Sequence, residues 1–122
     1  MQPSPLRRRA VLLVAGVALL PMPAAAHAII VSADPAVGAV LHTPSVPIVL
    51  RFNSRIDRER SRLTLLRPDG SSQPLPLAPV ERSDTLAARI DGLAPGRYRL
   101  RWQVLAVDGH ITRGDIPFAV GE

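Results

Sequence analysis

Three histidines stand in this chain of 122 residues, at positions 27, 42 and 110. His27 directly follows Ala24-Ala25-Ala26, the small residues at which a signal peptidase cuts. Cleavage after Ala26 makes His27 the first residue of the mature chain. Its free α-amine and its imidazole Nδ1 can then close one chelate ring on a single metal ion, which no internal histidine can do. His110 follows Asp108 across Gly109. In extended backbone, residues two apart project to the same side, so a carboxylate and an imidazole can converge there on one ion. Gly109 lets the chain approach closely or take a positive φ. Taken alone, Asp-Gly is a common turn dipeptide. Paired with a histidine at a mature N-terminus, it becomes the second half of a candidate metal site. His42 reads as a histidine of a surface loop.

One amine, two imidazoles and one carboxylate make a set of four nitrogen and oxygen ligands. That set suits a single tetragonal Cu(II) ion per chain, whereas Zn(II) asks for a tetrahedron and Cu(I) prefers sulfur. Met1 and Met22 both precede residue 27 and cysteine is absent, so the mature chain offers no sulfur ligand, no disulfide and no cysteine nucleophile. No serine stands beside an evident base, and there is no catalytic carboxylate pair or phosphate-binding glycine loop. The ligand set therefore points to metal binding without enzymatic chemistry.

The first 26 residues have the three parts of a secretory leader: Arg7-Arg8-Arg9, an apolar run from Ala10 to Leu20, and the small residues ending at Ala26. The apolar run is short of the about 20 residues that a membrane-crossing helix needs. Arg8-Arg9 also has twin-arginine character, which leaves the route of export open. An exported chain without cysteine suits the bacterial periplasm better than an extracellular eukaryotic setting, where small domains rely on disulfides. Loss of the leader takes the formal charge from +5 to +2, twelve arginines against ten acids. With few aromatics and no basic cluster interleaved with stacking residues, nucleic acid is not an expected partner.

To hold such a site, residues 27–122 must supply a rigid frame. Ala28 to Ser32 reads as a short first strand and Asp34 to Gly38 as a turn. Val46, Ile48, Leu50 and Phe52 alternate with Pro47, Val49 and Arg51, the period of a half-buried strand. Asn53 to Arg62 is polar, charged and without an apolar stripe, which predicts a solvated loop. Arg62 to Arg67 predicts a strand, Pro68-Asp69-Gly70-Ser71 a hairpin turn, and Gln73 to Leu77 an irregular peripheral return. Leu86, Ala88 and Ile90 mark another strand. In the longest alternating stretch Tyr98, Leu100, Trp102, Val104 and Ala106 face a core. Arg97, Arg99, Arg101 and Gln103 face water, as a solvated surface with cross-strand ion pairs that can also receive an acidic partner. Gly109 and Gly114 are expected to bracket a reversal before a last strand with Ile116, Phe118 and Val120. About seven strands and no sustained helical period predict an all-β, Greek-key sandwich or barrel of immunoglobulin-like form, its sheets joined by Trp102 and the apolar faces.

These residues resemble the periplasmic copper-binding CopC family. The likeness runs from His27-Ala28 and Asp34-Pro35-Ala36-Val37-Gly38-Ala39-Val40-Leu41, through Val49-Leu50-Arg51-Phe52, to Gly96-Arg97-Tyr98-Arg99-Leu100-Arg101-Trp102, Asp108-Gly109-His110, Gly114 and Phe118. The resemblance implies a small Greek-key β-barrel or sandwich. It also implies Cu(II) bound by the amine and imidazole of His27 with Asp108 and His110. Some members place an acidic residue two positions after the phenylalanine matched by Phe52. Here that position is Ser54, so this ligand is not carried over, and the methionine-rich Cu(I) site of some members is missing as well.

The expectation is a monomeric, periplasmic protein, not an enzyme, that sequesters copper or delivers it to a separate inner-membrane copper transporter. Two other readings stand beside it. One is a metal-free immunoglobulin-like interaction module. The other is a copper redox enzyme with a histidine brace, which the small domain, the buried aromatics and Asp108 beside the metal disfavour.

Overall fold

Alternation of apolar and polar side chains shapes both sheets of this molecule. The computed structural model describes residues 28–122. The leader expected over residues 1–26, and His27 itself, lie outside the described residues. Among those described, eight strands and no helix are formed: β1 (Ile30–Asp34), β2 (Ala39–Leu41), β3 (Val46–Phe52), β4 (Ile56–Leu66), β5 (Ser72–Leu75), β6 (Thr85–Ile90), β7 (Gly96–Ala106) and β8 (Ile111–Val120). They pair as a three-stranded sheet in the order β1-β3-β6 and a five-stranded sheet in the order β2-β8-β7-β4-β5. Every pairing is antiparallel except β2 with β8. This is the sandwich of immunoglobulin-like form that the alternation predicts.

The inward faces are those read from the sequence. Val46, Ile48, Leu50 and Phe52 of β3 are buried, as are Tyr98, Leu100, Trp102, Val104 and Ala106 of β7. Phe52 meets Trp102 from the opposite sheet edge-on, with centroids 5.3 Å apart and planes at 65°, a geometry that aromatic pairs favour. Tyr98 stacks on Phe118 of the neighbouring strand at 5.5 Å, and its hydroxyl donates to the Ala94 carbonyl at 2.6 Å. On the outer surface Arg101 donates twice to Asp115, at 2.9 and 3.1 Å, and Arg99 lies 3.5 Å from the same carboxylate. These are the expected cross-strand pairs.

Several expectations are corrected. The predicted loop from Asn53 to Arg62 is mostly the first half of β4. Ile56 is buried opposite Ala106 and Asp57 lies opposite Leu105, then the register shifts before Arg62 meets Gln103. Inside the shift Ser61 is buried, its hydroxyl donating to the Asp57 carbonyl at 2.6 Å and accepting the Leu105 N–H at 3.2 Å. A bulge of this kind breaks the period of two, so the strand carries no apolar stripe. The first strand runs from Ile30 to Asp34, two residues later than predicted, and Ile29 just ahead of it is held by the Asn53 side chain. The three-residue β2 raises the strand count to eight. Its pairing is with β8, far along the chain, and three residues hold too little pattern to show that.

Gly114 belongs to no turn. It sits inside β8 opposite Trp102, where a Cβ would come within 2.5 Å of Trp102 Cζ2. The glycine makes room for the indole ring, and overpacking of that kind costs about 1–3 kcal/mol. Gly114→Ala is therefore expected to lower the free energy of unfolding by that amount, seen as a lower midpoint of urea unfolding followed through Trp102, the only tryptophan of the chain. An unchanged midpoint would show that the ring shifts without cost.

Candidate metal centre

Asp108, Gly109 and His110 form the turn between β7 and β8. The turn is closed by the Ala106 N–H donating to the His110 carbonyl and the Gly109 N–H donating to the Ala106 carbonyl, both at 2.9 Å. Gly109 has φ +93°, a left-handed conformation that side-chain-bearing residues avoid. This tight turn, and no extended backbone, is what makes the two predicted ligands converge. Asp108 Oδ1 accepts the backbone N–H of His110 at 3.1 Å and lies 3.4 Å from His110 Nδ1. The His110 side chain is 55% exposed and that of Asp108 39%, so both can reach a further ligand arriving from outside the turn. The His110 N–H holds the Asp108 carboxyl below the usual carboxylate range, and the imidazole adds to the effect. Asp108 thus carries its negative charge throughout the neutral range.

A second connection reaches this turn from the start of the described chain. The Ile29 N–H donates to Asn53 Oδ1 at 2.8 Å, and the Asn53 N–H donates to the Ile29 carbonyl at 2.9 Å. Ala28, one residue earlier, is fully buried. Two residues after Asn53, the Arg55 carbonyl accepts the N–H of Val107 at 3.2 Å. The turn from Asn53 to Arg55 therefore touches the chain two residues beyond position 27 on one side and the residue before Asp108 on the other. Sequence reasoning missed Asn53, which looked like the first residue of a polar loop. No local signal marks an asparagine whose partner lies 24 residues away.

Between these two contacts sits Ser54, whose Oγ is buried with no hydrogen-bond partner. Thr112 Oγ1, two residues after His110, is in the same condition. These hydroxyls are neutral and add no anionic ligand. The donors fit a cation that takes nitrogen and oxygen: a carboxylate kept ionised beside an imidazole, with neither thiolate nor thioether in residues 28–122. Among the described residues no group of three or more His, Cys, Asp or Glu side chains could hold a metal ion, so Asp108 and His110 supply two ligands at most. His42 is not one of them. It lies by Gly121 at the far end of β8, whose ten residues span roughly 30 Å.

The model of the CopC domain matches residues 30–121 of this chain. Protein YobA of Escherichia coli strain K12 is 28% identical over 100 residues, which cover 78% of this chain and 79% of YobA. Among solved structures, PcoC, a methionine-rich copper resistance protein from Escherichia coli, superposes with a TM-score of 0.59 at 27% identity, over 78% of this chain and 99% of PcoC. CopC from Methylosinus trichosporium OB3b superposes with a TM-score of 0.70 over 78% of this chain and 94% of its own. At 24% identity that second likeness concerns the fold.

The Asn53 contact makes a prediction that needs no metal. In Asn53→Ala the Ile29 amide should exchange with solvent several-fold faster, with about 1 kcal/mol of stability lost. Asn53→Asp, which keeps the acceptor oxygen, should retain protection. Hydrogen exchange read residue by residue would decide it, and an Ile29 amide still protected in the alanine variant would mean that strand β1 holds itself.

Proposed function

The chain belongs to the CopC domain family, and on that footing we propose that it is a periplasmic protein that binds one Cu(II) ion, sequestering it or delivering it. In this reading the leader is removed after Ala26. Copper is then held as cargo by the α-amine and imidazole of His27 with Asp108 and His110. The observation that carries the proposal is the meeting of Asp108 and His110 on an exposed turn. That turn is tied through Asn53 and Arg55 to the chain two residues past position 27.

Each ligand has a distinct task. The amine and the first imidazole form the chelate, so they set affinity. Asp108 offsets one of the two positive charges of the ion without waiting for a proton to leave, because its carboxyl is held ionised. His110 adds the second imidazole. Selectivity for Cu(II) follows from what the mature chain lacks: PcoC is methionine-rich, whereas both methionines here precede residue 27. A site on a surface turn can also give up its ligands one at a time to an acceptor, a separate inner-membrane copper transporter, with the donor acting as a monomer.

Binding requires the α-amine, with a reference pKa of about 7.7–8.0, and both imidazoles to be free of protons at the ligating nitrogens. Protons compete for these nitrogens, so affinity must fall as the pH falls. Between about pH 8 and pH 6 the amine alone should cost roughly one to two decades on this value, and a chain whose α-amine is acetylated should lose that part of the dependence. Asp108 does not contribute to this dependence, since its carboxyl titrates far below the window.

The test is Cu(II) titration of the mature chain, with His27 confirmed as first residue by intact mass, beside the acetylated chain and Asp108→Ala. One tight tetragonal site per chain is expected, weakened at least about tenfold by either change, or about 1.4 kcal/mol. Equal weak binding by all three would leave Asp108-Gly109-His110 as a turn only, and the metal-free interaction module would replace this reading.

A further inference from the structure

The pairing of β4, β7 and β8 stacks arginine side chains on one outer surface. Register places Arg62, Gln103 and Arg113 in one cross-strand row, Thr64, Arg101 and Asp115 in the next, and Leu66, Arg99 and Pro117 in a third. Arg97 beside Ala119 extends the surface past the end of β4. Over these four rows five arginines face one carboxylate. Asp115 is already engaged by Arg101 and Arg99, and Arg113 donates to Gln103 at 2.9 Å. Among the described residues, Arg62 and Arg97 have no ion-pair partner.

This is more than the basic character of the chain spread evenly. Residues 28–122 hold twelve arginines and ten side-chain carboxylates. With five arginines and one carboxylate in these four rows, the rest of the molecule keeps seven against nine. A domain of modest net charge has thus concentrated its positive charge on one side, and the remainder is slightly negative. At the Arg97 end the surface dips into a depression of about 850 Å³, with Leu66, Pro68 and Pro117 in its lining and Arg67, Arg97 and Arg99 around them.

We propose that this arginine face docks a protein partner through an extended acidic segment, with carboxylates at alternate residues and an apolar side chain seated in the depression. Arg97, Arg99 and Arg101 follow one another every second residue along β7, about 6.6 Å apart. That is also the spacing of alternate side chains in an extended peptide. The planar guanidinium matches a carboxylate with two parallel hydrogen bonds. Charge complementarity of this kind speeds encounter and sets register. The depression argues for a polypeptide over a lipid surface, because a side chain can enter a concave site that a flat array of headgroups leaves empty. All four aromatic residues are buried, so the face also lacks the rings with which proteins enter a bilayer interface or stack on bases.

The experiment uses the mature chain without metal, so it does not depend on the copper reading. A fluorescent octapeptide of alternating Glu and Val is titrated by anisotropy against the wild type, Arg97→Glu/Arg99→Glu, and the matched pair Arg51→Glu/Arg89→Glu on the other sheet. Saturable binding should weaken at least about tenfold in the first variant and less than about twofold in the second. Arg97→Gln, which removes no ion pair within the fold, should weaken it several-fold and keeps the test valid if the double variant misfolds. A peptide of the same composition with its four Glu residues in one block should bind less tightly. Equal losses in both double variants would overturn the proposal in favour of net charge alone. Binding to vesicles of equal parts phosphatidylcholine and phosphatidylglycerol, with none to the peptide, would overturn it in favour of a membrane.

Discussion

With no cysteine in the chain, the two sheets are joined by the apolar side chains between them, and among the described residues Phe52 packs edge-on against Trp102 across the gap. Both residues have consequences beyond the core. Phe52 is followed at once by Asn53, so seating the phenylalanine ring carries the asparagine to the place where it holds Ile29. Trp102 lies over Gly114 on the neighbouring strand. That fit fixes the β7 and β8 hairpin, whose turn carries Asp108 and His110. Core packing and the geometry at the turn are therefore one problem. A change that lets the sheets slide would move the start of the chain relative to the turn.

The two proposed tasks fall on separate surfaces. Strand interiors make a stiff frame, while the residues suited to copper lie at one end of it, on a turn held by a positive φ at Gly109. The concentrated arginines occupy a broad side of the five-stranded sheet. A partner bound there would leave the turn at the end uncovered. Carboxylates away from the turn serve the frame: Asp84 is held well below the usual range by Arg82 first, with Thr85 and Arg51 assisting, and Asp115 by Arg101. Such depressed groups stabilise the fold above the unfolded carboxylate pKa of about 3.9 and lose that contribution as the pH falls further. All of them are exposed enough that each contribution is small, so the apolar interface remains the main support of the sandwich.

What could be read from residues alone was whatever repeats locally or depends on residue type. The period of two in β3, β6 and β7 shows which side chains face inward, and it places Trp102 on a face that must meet the other sheet. Residue type also picked out Asp108 and His110, because only three histidines exist and just one has a carboxylate two residues away. The stretch from Ile56 to Arg62 defeated the same approach. Its bulge takes five steps of β4 opposite two of β7, and no periodic pattern survives that.

The sequence by itself therefore determined the inward faces of β3, β6 and β7, the absence of sulfur ligands after residue 26 and the pair of side chains at the turn, since each follows from composition or short-range spacing. The tertiary structure alone decided that Asn53 holds Ile29, that Gly114 makes room for Trp102, and that five arginines from three strands share one surface. Those relations join residues distant along the chain, through hydrogen bonds and register that exist only once the strands have paired.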